Sequence, residues 1–335
     1  KDSPTIVKQW IPTGSRWLDS ITCRGQMAGI PVGKITEIAG LSSSGKSFMA
    51  ALISSNAQKM GHVVVYFDAE SALDEKFLMK AGCDVSDMIY VQAISVEKVL
   101  GEIQNLMDEY PETQFLFVWD SIAATPSEKD IEGDFNPQSS MAVKPRIFSK
   151  AFPKITIPLA NQQCTLVLIN QLKTNITSNI AEAMTTPWIA PGGKAIGYFS
   201  SQRIWLTKRK AKASYVNNNK GHRIGTEVKV KIEKSRFGTE GRTCTFKIVW
   251  GSDVGIQDEE SWFTAIKLSG TNKMKQGGAW YTIKDKKGKD HKFQATKWLE
   301  RLKDPDFREA VCTIMDEEVI QRFDSTQEEI DLKDE

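Results

Sequence analysis

The 335-residue chain is 40% hydrophobic, 9% aromatic and 26% charged, with a formal net charge of +2. At roughly 100 to 200 residues per domain this length predicts about two domains, each able to bury a core, and the share of core formers excludes a wholly disordered chain. Apolar runs such as Val63 to Phe67, Phe115 to Trp119 and Thr165 to Ile169 stop far short of the roughly 18 residues that span a bilayer, so no membrane span is expected. In chain order, the first predicted strand is Lys34 to Ala39, followed by the loop Gly40 to Ser44 and a helix from Lys46 to Met60 that ends at Gly61. Val63 to Phe67 is the second strand, β-branched on both faces and so expected to be fully buried. A helix over Val96 to Asp108 and a strand over Phe115 to Trp119 follow, with Tyr110-Pro111-Glu112-Thr113 as the turn between them. Thr165 to Ile169 repeats the strand signal, and Leu172 to Gly193 has no sustained period and reads as a long functional loop. Arg203 to Lys208, Thr226 to Glu233 and Thr243 to Trp250 alternate apolar and polar residues, which predicts antiparallel strands added to the sheet. A change of composition near Gly255 to Glu260 marks a domain boundary.

Alternating strands and helices argue for a mostly parallel sheet covered on both faces. Three strands end in polar residues, Asp68, Asp120 and Asn170-Gln171, which is where open α/β sheets bind ligands. The N-terminus Lys1-Asp2-Ser3-Pro4 carries no signal-type apolar run, and the missing initiator Met predicts a trimmed or processed chain. Five cysteines (Cys23, Cys83, Cys164, Cys244, Cys312), odd in number and without a Cys-x-x-Cys pair, fit a reducing cytoplasm. His62, His222 and His291 are isolated and have no metal-ligand spacing.

Charge is unevenly distributed. Arg203 to Trp250 holds thirteen Lys/Arg against three acidic residues, whereas Asp316 to Glu335 holds nine Asp/Glu against Arg322 and Lys333. Composition leaves two readings open: a solvated face with a frayed tail, or a polyanion-binding face with an acidic tail that competes for it.

Gly40-Leu41-Ser42-Ser43-Ser44-Gly45-Lys46-Ser47 is a complete G-x-x-x-x-G-K-S between a predicted strand and a predicted helix. Its glycines let the backbone wrap a phosphate, its amides and the helix N-terminus supply positive potential, Lys46 reaches the outer phosphates, and Ser47 can ligate magnesium. Asp120, after the strand Phe115 to Trp119, supplies the carboxylate that would hold the metal, although an Asp there also serves as a helix cap. Hydrolysis needs a group to orient water; spacing alone does not choose between Asp68 and Glu70.

The runs Gly40 to Ser47, Asp68 to Asp74, Asp120 to Ala124, Asp130 to Gly133, Ile169 to Gln171, Gly192-Gly193 and Gly278 to Tyr281 resemble the bacterial RecA recombinase family in order and spacing. Glu233-Lys234-Ser235-Arg236 is more similar to its phage-type UvsX branch. The similarity spans about residues 10 to 310. It implies an α/β fold, a RecA-like P-loop ATPase core over residues 1–258 with a central mostly parallel sheet flanked by helices, plus a small α+β C-terminal domain over 259–335. It also implies a DNA-dependent ATPase using ATP and Mg2+, acting in homologous recombination and DNA repair. Its expected partners are single-stranded DNA, homologous duplex DNA, further copies in a helical filament, and single-strand-binding and mediator proteins; a phage-encoded chain would act in the host cytoplasm.

Position by position, the resemblance implies Glu70 as the water-activating residue, nucleotide contacts from Gly40 through Phe48, and adenine contacts from Asp74 and Phe77. Gln171 matches the γ-phosphate sensor. Lys234 and Arg236 match cations that reach the neighbouring subunit's nucleotide, the other reading being a DNA phosphate contact or a surface ion pair. The two DNA loops correspond to about 130–144 and 172–193. Met141 and Ile176 match apolar wedges between bases, or else core residues, and Arg146 and Lys173 match phosphate contacts. Gly192 and Gly193 would bring backbone amides to a phosphate, and Lys208, Arg209, Lys229 and Lys231 fall near a second DNA site. The second loop is longer than in the bacterial proteins. The family's N-terminal docking segment has little or no counterpart before Trp10; were that segment truly absent, the resemblance implies poor polymerisation and slow hydrolysis. Two rivals remain: a ring-forming, hexameric helicase-like DNA motor of the same superfamily, and a small-molecule kinase, which does not account for the basic segment.

Overall fold

The structure, a computed structural model, describes residues 6–71, 74–133, 142–176, 187–208, 214–250 and 255–320. The first half runs β1 (Trp10–Ile11), α1 (Arg16–Thr22), β2 (Ile30–Pro31), β3 (Ile35–Gly40), α2 (Lys46–Lys59), β4 (Val63–Asp68), α3 (Glu75–Lys80), β5 (Met88–Gln92), α4 (Val96–Glu109), β6 (Phe115–Asp120), α5 (Glu128–Glu132), α6 (Val143–Gln162) and β7 (Thr165–Gln171). There follow β8 (Lys173–Thr174), β9 (Trp188–Ile189), α7 (Lys194–Phe199), β10 (Gln202–Thr207), β11 (Tyr215–Asn217), β12 (Arg223–Ser235), β13 (Thr243–Val249) and β14 (Gly255–Ile256). The C-terminal part is α8 (Asp258–Ser269), β15 (Met274–Gly277), β16 (Trp280–Lys284), β17 (Asp290–Gln294), α9 (Trp298–Arg301), α10 (Pro305–Ile314) and a π-helical turn, Met315–Ile320.

The main sheet has the order β14-β13-β12-β10-β3-β7-β6-β4-β5, with β11 on β12. From β10 to β5 every pairing is parallel; β12, β13, β14 and β11 add antiparallel strands at one side. This corrects one expectation: the Arg203 region is antiparallel only to β12, and is itself parallel to β3. Successive strand residues face opposite sides, so Val64, Tyr66, Leu116 and Val118 join α1 and α2 in one apolar cluster. Val65, Phe67, Phe117 and Trp119 join α4 and α6 in the other. Helix α4 shows the matching period: Val96, Val99, Leu100, Ile103 and Met107 are buried, and Ser95 caps it by accepting from Lys98 N.

Two elements are absent from the sequence expectations. The edge strand β5 carries the strand formers Ile89, Tyr90 and Val91, and it leaves Ile89 and Tyr90 exposed. The supposed structureless segment 172–193 contains a short hairpin, Lys173 paired with Ile189 and Thr174 with Trp188, with 177–186 outside the described residues. Helix α8 starts at Asp258, the expected boundary, yet Trp262, Phe293, Trp298 and Phe307 share one apolar cluster with Trp17, Leu18 and Phe246 of the core. Asp258 pins this joint by accepting from Arg16 N (2.9 Å) and Trp262 Nε1 (2.8 Å). Among the described residues no helix is long and apolar enough to cross a membrane.

Candidate nucleotide and nucleic-acid site

The β3–α2 loop requires its glycines. A Cβ on Gly40 would lie 2.5 Å from Ser44 Oγ and 2.8 Å from Leu206 O, and Gly45, at φ +85°, would drive one to 2.2 Å from Ile248 Cδ1. The loop therefore nests between its own turn and the neighbouring strands. Lys46 folds back and donates to Leu41 O (3.0 Å); burial lowers its pKa, opposed by the nearby Asp120 and Glu70 carboxylates. The buried Ser44 Oγ has no protein partner.

Asp120 closes β6 beside Ser47 and accepts from the Tyr66 hydroxyl (3.0 Å). Burial raises its pKa, against the hydrogen bonds from Ser47 and Tyr66. The geometry separates the two carboxylates that spacing left equivalent. Asp68 is buried, accepting from Tyr90 Oη (3.1 Å) and from Glu70 N (3.0 Å), so it builds the turn. Glu70 accepts from Ser121 Oγ (3.0 Å) and from Gln171 Nε2 (3.2 Å), which joins the ends of β4, β6 and β7.

A cavity of about 510 Å³ opens beside Ser43 to Phe48. Asp74 and Phe77 line it, Asp74 also capping α3 through Lys76 N (2.9 Å) and Phe77 packing edge-on against Phe48 (5.7 Å). Ile248 and Trp250 also line it. Sequence reasoning missed them, although an aromatic directly after β13 is a readable signal. Lys208, expected among DNA contacts, reaches the phosphate loop, donating to Ser43 O (3.4 Å).

Lys234 and Arg236 lie elsewhere. Lys234 Nζ donates to the carbonyls of Gly197 (2.6 Å), Tyr198 (2.9 Å) and Ser200 (2.9 Å), and Arg236 Nη2 to Tyr198 O (3.0 Å), so both cap the C-terminus of α7. Burial lowers the Lys234 pKa, with Arg236 and Arg203 adding to it. The register shows how far they are from the phosphate loop: Ser235 pairs with Gln202, which pairs with Thr36, whereas Gly40 pairs with Leu206. Four residues of strand, about 13 Å, separate the two ends.

Of the expected DNA contacts, Arg146 and Lys173 are exposed and Ile176 is 95% exposed, which removes its alternative as a core residue. Gly192 (φ +104°) and Gly193 (φ +83°) press the loop exit against Ile196 and Pro145, where a Cβ would fall within 2.2 and 2.8 Å. Lys229 and Lys231 stand on the exposed face of β12, opposite buried Val228 and Val230, with Lys231 paired to Glu233 (2.7 Å). Met141 and Arg209 lie outside the described residues, as does most of the acidic tail. Among the described residues no cluster of metal-ligating side chains occurs.

A family model described as the RecA N-terminal domain matches residues 2–256. The chain is 31% identical over 311 residues to Protein RecA of Aquifex pyrophilus, covering 92% of this chain and 82% of that protein. It is 30% identical over 298 residues to Protein RecA of Mannheimia haemolytica (89% and 76%), and 32% over 281 residues to that of Bifidobacterium breve (84% and 67%).

Proposed function

The chain belongs to the RecA family of homologous-recombination and DNA-repair proteins, and from that premise we propose that it hydrolyses ATP on single-stranded DNA, at sites completed only between neighbouring copies of a phage-type, UvsX-like filament. RecA-family proteins are DNA-dependent ATPases that use ATP and Mg2+, bind single-stranded DNA and form filaments. The ring-forming helicase reading is not favoured, since the similarity to RecA proteins covers nearly the whole chain.

The observation that carries the proposal is Glu70, held between Ser121 Oγ and Gln171 Nε2 at the open end of the parallel strands and near Lys46. A carboxylate so placed can orient water toward the outermost phosphate, while Gln171, bonded to it and opening the second DNA loop, senses whether that phosphate is present. The unpartnered Ser44 Oγ and the glycine-shaped loop fit a phosphate chain. Ser47 and the half-buried Asp120 fit magnesium, which when bound would offset phosphate charge. Asp74, Phe77, Phe48, Ile248 and Trp250 form an apolar pocket with one carboxylate, suited to a base.

Lys234 and Arg236 lie about 13 Å of strand away from their own phosphate loop, so they serve a neighbour's nucleotide, supplying cations that stabilise transition-state charge. Arg146, Lys173, Ile176, Lys229 and Lys231 offer exposed cations and an apolar wedge for DNA, a binding mode that is sequence-blind and salt-sensitive. Core 1–258 and C-terminal region 259–335 would act as one body through their shared apolar cluster. The test is ATP hydrolysis measured with and without single-stranded DNA, alongside electron microscopy with a non-hydrolysable analogue. Stimulation with open helical filaments is expected; DNA-independent turnover or uniform closed rings would overturn the proposal.

A further inference from the structure

A charged side chain stands in the middle of the sheet. Glu37, on β3 between Thr36 and Ile38, is 0% exposed, where an ionised carboxylate is costly unless each oxygen is paired. Both are paired. Oε1 accepts from Asn170 Nδ2 (2.8 Å), and Oε2 is bound by Arg203 Nε. Replacing such a buried pair by apolar residues is often neutral or stabilising, so stability alone does not account for it.

The partners show what else it holds. Asn170 directly precedes Gln171, and its Oδ1 accepts from Gln171 N (2.9 Å) while its Nδ2 also donates to Pro191 O (2.8 Å). One amide thus ties the start of the second loop to its exit. On the other side, Arg203 pairs in register with Lys234, and its guanidinium lies against Gly197, whose added Cβ would come 3.4 Å from Nη1. Gly197 is one of the α7 carbonyls that Lys234 caps. Helix α7 itself runs from Gly193 at the loop exit to Ser200, just before β10. Glu37 therefore touches, through Asn170, the end of β7 that carries Gln171 and, through Arg203, the strand pair that carries Lys234.

We propose that Glu37 is a positioning residue that couples the nucleotide sensed by Gln171 to the placement of Lys234 and Arg236, through Asn170 on one carboxylate oxygen and Arg203 on the other. This deepens the reading above and rests on its roles for Gln171, Lys234 and Arg236. Moving the β7 end shifts Asn170, and the carboxylate passes that shift to Arg203 and to the α7 end beside it. One buried ion with a partner on each oxygen transmits displacement where apolar packing would slip.

The test uses the full chain and the ratio of single-stranded oligonucleotide affinities with a non-hydrolysable ATP analogue and with ADP, read by fluorescence anisotropy. Glu37→Gln keeps size and an acceptor but removes the charge. It is expected to lower that ratio at least tenfold while ATP affinity stays within about twofold, an outcome that simple destabilisation would not produce. Arg203→Lys, at a partly exposed site and so safer for folding, is expected to lower it about threefold. In a Gln171→Ala background, Glu37→Gln should add nothing, because the route is already cut. A folded Glu37→Gln protein with the wild-type ratio would overturn the proposal, as would full retention by Arg203→Lys if Glu37→Gln does not fold. A wild-type ratio near one would overturn the functional reading itself, a result distinguishable because it needs no variant.

Discussion

The two halves of the proposed active site are built in opposite ways. The half around Lys46, Glu70, Asp120 and Gln171 comes from the carboxyl ends of β3, β4, β6 and β7, which are adjacent parallel strands, so the sheet alone brings these groups together. The half around Lys234 and Arg236 sits near the amino end of β10, and its cations are spent on the carbonyls of α7. Under the proposed function one is assembled by folding and the other by contact, and turnover would then depend on a neighbour without any change in the phosphate loop.

The comparison breaks most sharply at Glu70. Glu70→Gln keeps an acceptor for Ser121 and Gln171 but cannot activate water, so hydrolysis should fall about 10³-fold, within the range for a general base, with ATP and DNA binding nearly unchanged. Single-turnover hydrolysis checks it; normal turnover would assign the role elsewhere. The loss should be equal at every protein concentration, as expected of a folded-in half.

Lys234→Ala should instead act only in the assembled state. With Arg236 still present, the expected loss of DNA-stimulated hydrolysis is on the order of 10²-fold, below the full range for a transition-state cation. Mixing Lys234→Ala with Lys46→Ala chains should restore measurable turnover, since interfaces then form with one intact loop and one intact cation. If the mixture stays inactive, shared sites are wrong.

Lys208 tests where the nucleotide half stops and the DNA face begins. Its contact with Ser43 O predicts that Lys208→Ala raises the KM for ATP several-fold, about 1 kcal/mol of lost charge-assisted bonding. Lys229→Ala should leave that KM alone and reduce the salt dependence of DNA binding by about one phosphate contact. Titrations at three salt concentrations separate the two.

How much of this was legible in the sequence follows from the same division. The phosphate loop is local, so eight consecutive residues announce it, and strand ends carry their polar residues in plain view. Glu70 is different: spacing does not part it from Asp68, only the family resemblance does, and the contacts that distinguish it in the fold come from Ser121 and Gln171 at the ends of other strands. Lys234 and Arg236 could be matched to a family, but their distance from their own loop exists only in the register. Glu37 reads as one charged residue in a buried strand, and its meaning comes from Asn170 and Arg203, more than 130 residues away. The edge strand β5 and the small sheet β15 to β17 lack the continuous apolar run that marks the central strands, β16 and β17 burying only alternate residues.

The smallest effect should fall on the frame that both halves share. Asp19 of α1 is buried beside the α8 joint; burial raises its pKa to about 7, against hydrogen bonds from Thr13 Oγ1 and N, with Asp258 adding to the rise. Because the folded state holds this proton more tightly than the unfolded chain, whose carboxyl titrates near 3.8, the stabilisation is complete below that value. It is lost as pH rises toward 7, at up to about 1.4 kcal/mol per pH unit. Asp19→Asn keeps the acceptor for Thr13 and removes the titration. Urea unfolding at pH 5, 6, 7 and 8 should therefore show wild type losing stability relative to the variant from pH 5 to 7, then running nearly parallel from 7 to 8. Hydrolysis by the variant at pH 7 should stay within about twofold of wild type, because neither half of the site touches Asp19. A variant whose stability tracked wild type at every pH would mean that Asp19 is ionised in the fold and that the joint is held by charge rather than by a neutral hydrogen-bonded acid.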